Sequence, residues 1–198
     1  MGRNATKRLH SVKPETKWNK LPESVITIAE ALKDNGFDTF GAADNGNICE
    51  EAGFSQGFDY FVTTKNEGAD IVNQHFWDWR DKIDKSNRYF AYLHYMDPHA
   101  LYMDRTPTAE SRAKKGLAKT IAAYNSEIEY VDRHLKRLSD LFGWEENALI
   151  VLTSDHGEEF MEHGSIGHGK NLYAEVVRVP LIIYRANSST ESRTVEDN

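Results

Sequence analysis

Three apolar runs separated by helical periodicity predict an α/β sandwich on a mostly parallel central sheet. The runs are residues 88–95 (RYFAYLHY), 148–152 (ALIVL) and 179–184 (VPLIIY). Each is short and rich in β-branched or aromatic residues, which favours strand over helix. The first two end in polar clusters, Met96-Asp97-Pro98-His99 and Thr153-Ser154-Asp155-His156-Gly157. Ligands in open α/β sheets sit beyond the carboxyl ends of the strands.

The first ordered unit begins at Leu21-Pro22-Glu23-Ser24, where Ser24 is positioned to cap a helix with an apolar face of Ile28, Ala31 and Leu32. Asn35-Gly36 closes it, and residues 37–43 read as a strand. Residues 50–60 read as an irregular aromatic segment whose Phe54, Phe58 and Tyr60, with Phe61, pack on the sheet edge. Residues 70–82 predict a helix with Ile71, Phe76, Trp77 and Trp79 as its apolar surface. Residues 109–141 predict a helix broken near Gly116, with Ile121, Tyr124, Ile128, Val131, Leu135 and Leu138 at core spacing. The run 148–152 reads as a buried parallel strand, and 179–184 returns to the sheet. One folded domain over 21–185 is expected, between a basic polar segment at 1–20 and a polar one at 186–198.

The chain of 198 residues is long enough for a sizeable core, and 39% hydrophobic with 28% charged residues is a globular composition. A net charge of -7 argues against a general nucleic-acid binder. Cys49 is the single cysteine, so no internal disulfide forms, and it reads as structural. No run is long and apolar enough for a membrane span, and no signal-peptide core is visible, which makes a cytoplasmic location the default.

Chemistry concentrates in residues 148–184. Asp155 offers carboxylate oxygen to a hard or borderline cation, His156 either a ring nitrogen to the metal or a donor to an anion, and Gly157 lets the backbone turn sharply beside them. His163, His168 and Lys170 follow in Gly-rich sequence. An Asp-His pair after a strand also suits a plain turn and helix cap, and Glu158-Glu159 reads as a solvated first helical turn. His99 follows another strand, and a satisfied loop histidine is the alternative there. His99, Asp155, His156, His168 and Lys170 are expected to converge on one pocket.

Four segments carry a family resemblance: LPESVITIAEALKDNGFDTFGAADN continuing to GFSQGFDYF, RYFAYLHYMDPHALY, YNSEIEYVDRHLKRL, and the stretch ALIVLTSDHGEEFMEHGSIGHGKNLYAEVVRVPLIIY. In this order they resemble the sulfatases of the alkaline phosphatase superfamily, over residues 21–185. The combination of SDHGE with GHGxxLYxExxRVPLII is the specific part. Family members also carry an N-terminal strand with paired aspartates and a Cys-or-Ser-x-Pro-Ser-Arg motif, and neither occurs here. Cys49 lies in NICEEAG and does not match that motif. Residues 1–12 resemble sequence just downstream of the motif, and 193–198 the lead-in to the next family strand. The resemblance thus implies an internal, truncated piece of an alkaline phosphatase-like catalytic domain.

It also implies a metal-dependent hydrolase of small-molecule or glycan sulfate esters. The implied cofactors are a divalent cation, Ca2+ before Mg2+, Mn2+ or Zn2+, and a formylglycine upstream of this chain. The implied partner is the missing N-terminal part of the domain. Asp155 is then a metal ligand, with His156 at a neighbouring position where sulfatases often have Asn and related phosphatases His. His99 contacts the sulfate or protonates the leaving group. Lys170 matches the family's Gly-Lys element, with His168 its rival or a further metal ligand, and His163 a weaker candidate. A phosphohydrolase or phosphotransferase of the same superfamily and a non-catalytic remnant are the other readings.

Overall fold

The computed structural model describes residues 20–188 and Thr194, which divide into two compact units, residues 20–134 and 135–188. All but Lys20 of the segment expected at 1–20, and most of that at 186–198, therefore lie outside the described residues.

The first unit is built on a parallel sheet. Helix α1 (Ile28–Asp34) precedes β1 (Asp38–Ala43), β2 (Tyr60–Thr63), α2 (Ala69–Arg80) and β3 (Tyr89–His94). The sheet order is β2-β1-β3, with both pairings parallel and Phe40 opposite Tyr60 and Ala91. The mixed α/β class with a parallel sheet is the one read from the sequence. β2 falls where the sequence suggests only edge packing: its four residues pair with β1 while their aromatic rings still pack. The run at 88–95 forms an outer strand of this three-stranded sheet.

Helix α1 is capped by Thr27, not Ser24. The Thr27 hydroxyl accepts from the Glu30 amide, and the Glu30 carboxylate accepts from the Thr27 amide. That reciprocal pair satisfies two otherwise orphaned donors, which a cap at Ser24 would leave unmet. Ala29 and half-buried Leu32 form the inner face, and Ile28 and Ala31 are exposed.

The core lies where β1 meets α2. Phe40 packs edge-on against Phe76 at 5.3 Å and tilted against Trp79 at 5.1 Å. Alternation then sends Gly41 to the other face, among Phe58 and Phe61. A Cβ on Gly41 would lie 2.5 Å from Phe61 Cδ2, so β1 and this ring approach closely only because the position is glycine. Gly41→Ala is expected to cost about 1–3 kcal/mol through overpacking. A lower urea midpoint with an unchanged slope checks it.

Helix α3 (Ala109–Ala113) and α4 (Gly116–Phe142) are separated at Lys114-Lys115, and Gly116 has φ +57°. The break is where the sequence places it. The buried face of α4 carries Ala123, Ser126, Glu127 and Leu138, whereas Ile128 is exposed. Ile121, Tyr124, Val131 and Leu135 of the expected stripe are half-buried, and polar Ser126 and Glu127 are buried beside them.

In the second unit, α5 (Trp144–Asn147) leads to β4 (Leu149–Thr153). The hairpin of β5 (Glu159–Phe160) and β6 (Ile166–Gly167), then α6 (Ala174–Val177) and β7 (Leu181–Arg185), complete it. The two apolar runs are strands, but they pair with each other antiparallel, Val151 opposite Ile183. They are not the buried parallel strands the sequence suggests. Leu149 is 66% exposed and Ile183 64% exposed. Among the described residues this is a two-stranded ribbon, and such a ribbon has no covering layer of its own. Among the described residues, no helix is long and apolar enough to cross a membrane.

Candidate functional site

In the first unit the polar residues collect at the carboxyl ends of all three parallel strands. Asp44 follows β1, Thr64 follows β2, and Asp97-Pro98-His99 follows β3. Asp44 is fully buried and accepts from the Thr64 hydroxyl (2.7 Å) and from the amides of Glu67 (2.8 Å) and Gly68 (2.9 Å). Asp97 accepts from the Ala69 amide at 3.3 Å, at the start of α2, and from Arg105 at 3.0 Å. Carboxylates there meet the unpaired N–H groups and the positive end of the helix dipole. His99 is exposed, its amide donates to the Met96 carbonyl, and its Nδ1 lies 2.7 Å from the Ala100 carbonyl. A carbonyl only accepts, so Nδ1 is the donor in this contact.

Burial pushes the Asp97 carboxyl above the usual carboxylate range, with Asp44 adding to the rise against Ala69 and Arg105. Burial likewise raises Glu127, against the Met103 amide and Arg105. One oxygen of each, Asp97 Oδ2 and Glu127 Oε2, is buried without a hydrogen-bond partner.

In the second unit the Asp-His pair follows β4 as expected. Asp155 is open to solvent, its side chain 77% exposed, with Oδ1 3.1 Å from the His156 amide and 3.8 Å from His156 Nε2. His156 Nδ1 lies 2.8 Å from the Gly157 carbonyl, which again makes Nδ1 the donor in the contact. The His156 ring stacks on His168 at 3.8 Å. His168 Nδ1 meets the buried Glu158 carboxylate at 3.0 Å. The structure therefore joins His156 and His168, twelve positions apart, through one ring stack.

Gly157 serves by close approach. A Cβ there would lie 2.1 Å from the Glu175 carbonyl oxygen, and its amide donates to Val176 at 2.8 Å. Glu158 and Glu159 are not the solvated helical turn that the sequence suggests. Glu159 begins β5 and is fully buried, and its carboxylate accepts from the amides of His163 and Ser165 and from Asn171. Those three donors outweigh the upward push of burial and lower its pKa. Lys170 turns to Ser165 Oγ at 3.1 Å and the Ile166 carbonyl at 3.0 Å. His163 stacks on Tyr173 at 3.6 Å and lies 3.3 Å from Glu175. Both residues thus have partners other than His156 and His168.

The sequence reading does not single out Asp44, Arg105, Glu127 or Glu158. Glu127 had a signal, since an acidic residue sits between Ala123 and Val131 on the inner helical spacing. Among the described residues, no group of three or more His, Cys, Asp or Glu side chains could hold a metal ion. Asp155 and His156 supply two donors, and hard divalent cations take six or more oxygen ligands. The residues present do not make a complete cation site.

The chain matches the sulfatase family model over residues 3–197. No curated protein matches it. Among solved structures it is similar to BT4656, solved in complex with its substrate D-glucosamine-2-N,6-O-disulfate, at TM-score 0.63 and 17% identity, covering 83% of this chain and 56% of that one. A protein of the alkaline phosphatase superfamily from Vibrio parahaemolyticus gives TM-score 0.54 at 16% identity, covering 85% and 44%. The phosphonate monoester hydrolase SpPMH from Silicibacter pomeroyi gives 0.53 at 17%, covering 86% and 54%. The chain thus spans about half the length of the structures it matches, and at these identities they establish its alkaline phosphatase-like fold. With the family model matched across nearly the whole sequence, the chain belongs to the sulfatase family.

Proposed function

We propose that this chain is part of the catalytic domain of a sulfuric ester hydrolase acting on a small-molecule or glycan sulfate ester. The observation that carries the reading is the His156–His168 stack beyond β4, with His168 held by buried Glu158. In such a hydrolysis the sulfur–oxygen bond breaks, the alcohol oxygen takes up a proton, and charge on the sulfuryl oxygens needs donors around it. His168 supplies a ring directed by its carboxylate partner, and Lys170, two residues further on in the same loop, is assigned the cation that faces the anion. His99 is assigned the sulfate contact or the proton to the leaving oxygen. Asp155 and His156 would contribute two donors to a divalent cation whose remaining ligands this chain does not show. The family's nucleophile motif is absent from this sequence, so we assign the nucleophile, a formylglycine, to a further part of the domain. We infer that the chain alone is a poor catalyst and that this further part is its partner.

The test is titration of the chain with inorganic sulfate while the histidine ring signals are followed by NMR. The His156 and His168 signals are expected to move at millimolar sulfate, and His168→Ala to weaken binding about tenfold, as for loss of one charge-assisted contact. Unmoved signals in the unaltered chain overturn the reading. A phosphate- or phosphonate-ester substrate is the second reading, supported by the likeness to a phosphonate monoester hydrolase and by histidine at position 156. Tighter binding of phenylphosphonate than of sulfate would favour it.

A further inference from the structure

The segment between Asp97 and Arg105 is closed on itself. Arg105 Nη2 lies 3.0 Å from Asp97 Oδ1, so one ion pair joins the two ends of the loop that carries His99. The same guanidinium places Nε 3.3 Å from Glu127 Oε1 and stacks over the Tyr130 ring at 4.5 Å. Helix α4 adds two fastenings. Glu127 Oε1 accepts from the Met103 amide at 3.1 Å, and Ser126 Oγ accepts from the Arg105 amide at 3.0 Å. At the other end Asp97 is tied to the start of α2 through the Ala69 amide. The accepting residues Asp97, Ser126 and Glu127 are buried, while the crown of the loop is open, with Leu101 88% exposed.

We propose that Arg105 is a positioning residue whose guanidinium buckles the 97–105 loop and so sets where the His99 ring is presented. The chemistry explains why arginine stands here. Three contacts in different directions, to Asp97, to Glu127 and to a ring face, need a planar fork that a lysine ammonium lacks. An exposed loop otherwise samples many conformations, and a histidine on it contacts a substrate only in the fraction that is correctly placed. Asp97 and Glu127 act with Arg105, and none of the three is assigned a contact with substrate. The role in substrate binding rests on the reading of His99 given above; the buckle itself does not.

The test uses the full chain with labelled histidine, and two variants. Arg105→Lys keeps the charge but not the fork. Asp97→Asn/Arg105→Met/Glu127→Gln removes the three charges together, so no buried ion is left alone. In both, chymotryptic cleavage within 101–103 is expected to rise about tenfold, as the loop opens more often. The His99 ring signal is expected to move towards its unfolded position while those of His75 and His134 stay. Cleavage and His99 signals unchanged in Arg105→Lys overturn the proposal, and they decide it if the triple variant does not fold. A His99 response to sulfate that survives at full strength in a loosened loop overturns the positioning role. A His99 signal that ignores sulfate in the unaltered chain removes instead the role given to His99, and the loop result still decides the buckle.

Discussion

Gly157→Ala is expected to lose about 3 kcal/mol of stability, the upper end of ordinary overpacking. The added Cβ would sit 2.1 Å from the Glu175 carbonyl oxygen and 3.1 Å from its carbon. Both are backbone atoms, so no side-chain rotation relieves the clash. Separation of the two segments would break the Gly157 amide bond to Val176. The cost falls on the candidate site, because His156 precedes Gly157 and its Nδ1 is held by the Gly157 carbonyl. Urea unfolding should show the loss, and the His156 and His168 ring signals should shift apart as their stack is disturbed. A variant as stable as the original with unchanged ring signals contradicts the close approach.

Arg105→Ala is expected to cost about 3–5 kcal/mol at neutral pH, because two buried carboxylates lose their shared cation. Asp97 and Glu127 are both buried, and burial already raises both pKa values. A carboxyl with a raised folded pKa binds protons more readily folded than unfolded, so its contribution to stability is present below the unfolded pKa. That contribution is lost as pH rises through the folded value. The unaltered chain should therefore lose part of its stability as pH climbs from the ordinary carboxylate range through these raised values. Removal of Arg105 takes away a force that lowers both pKa values, so the fall should extend to higher pH. Arg105→Ala is consequently rescued by mild acid, while Gly157→Ala is not. Thermal melts across a pH series separate the two; an Arg105→Ala deficit that does not shrink on acidification contradicts the charge argument.

Much of the first unit was legible from residue order. Short runs rich in aromatic and small apolar residues located β1 and β3, and the apolar surface of Ile71, Phe76, Trp77 and Trp79 located α2, because those signals lie within one element. Strand β2 was not legible. Its four residues carry too short a pattern, and only pairing with β1 makes them a strand. The Ser24 cap failed for a similar reason: Ser24, Thr27 and Glu30 all suit a helix start, and the reciprocal Thr27–Glu30 bonds decide among them. For the candidate site, Asp155, His156 and His168 stand out by type and spacing. That Lys170 and His163 face other partners does not, because chain proximity says nothing of side-chain direction.

The sequence by itself determined the family, the α/β class and the residues able to carry charge and protons, since these depend on local composition and motif order. The tertiary structure alone decided which of them act on each other. Glu127 reached Arg105 across 22 positions and buried Glu158 reached His168 across ten, and the apolar runs at 148–152 and 179–184 paired antiparallel. The physical reason is that a buried ion, a ring stack or a strand register gains its energy from a partner distant in the chain, and no local pattern encodes that partner's position.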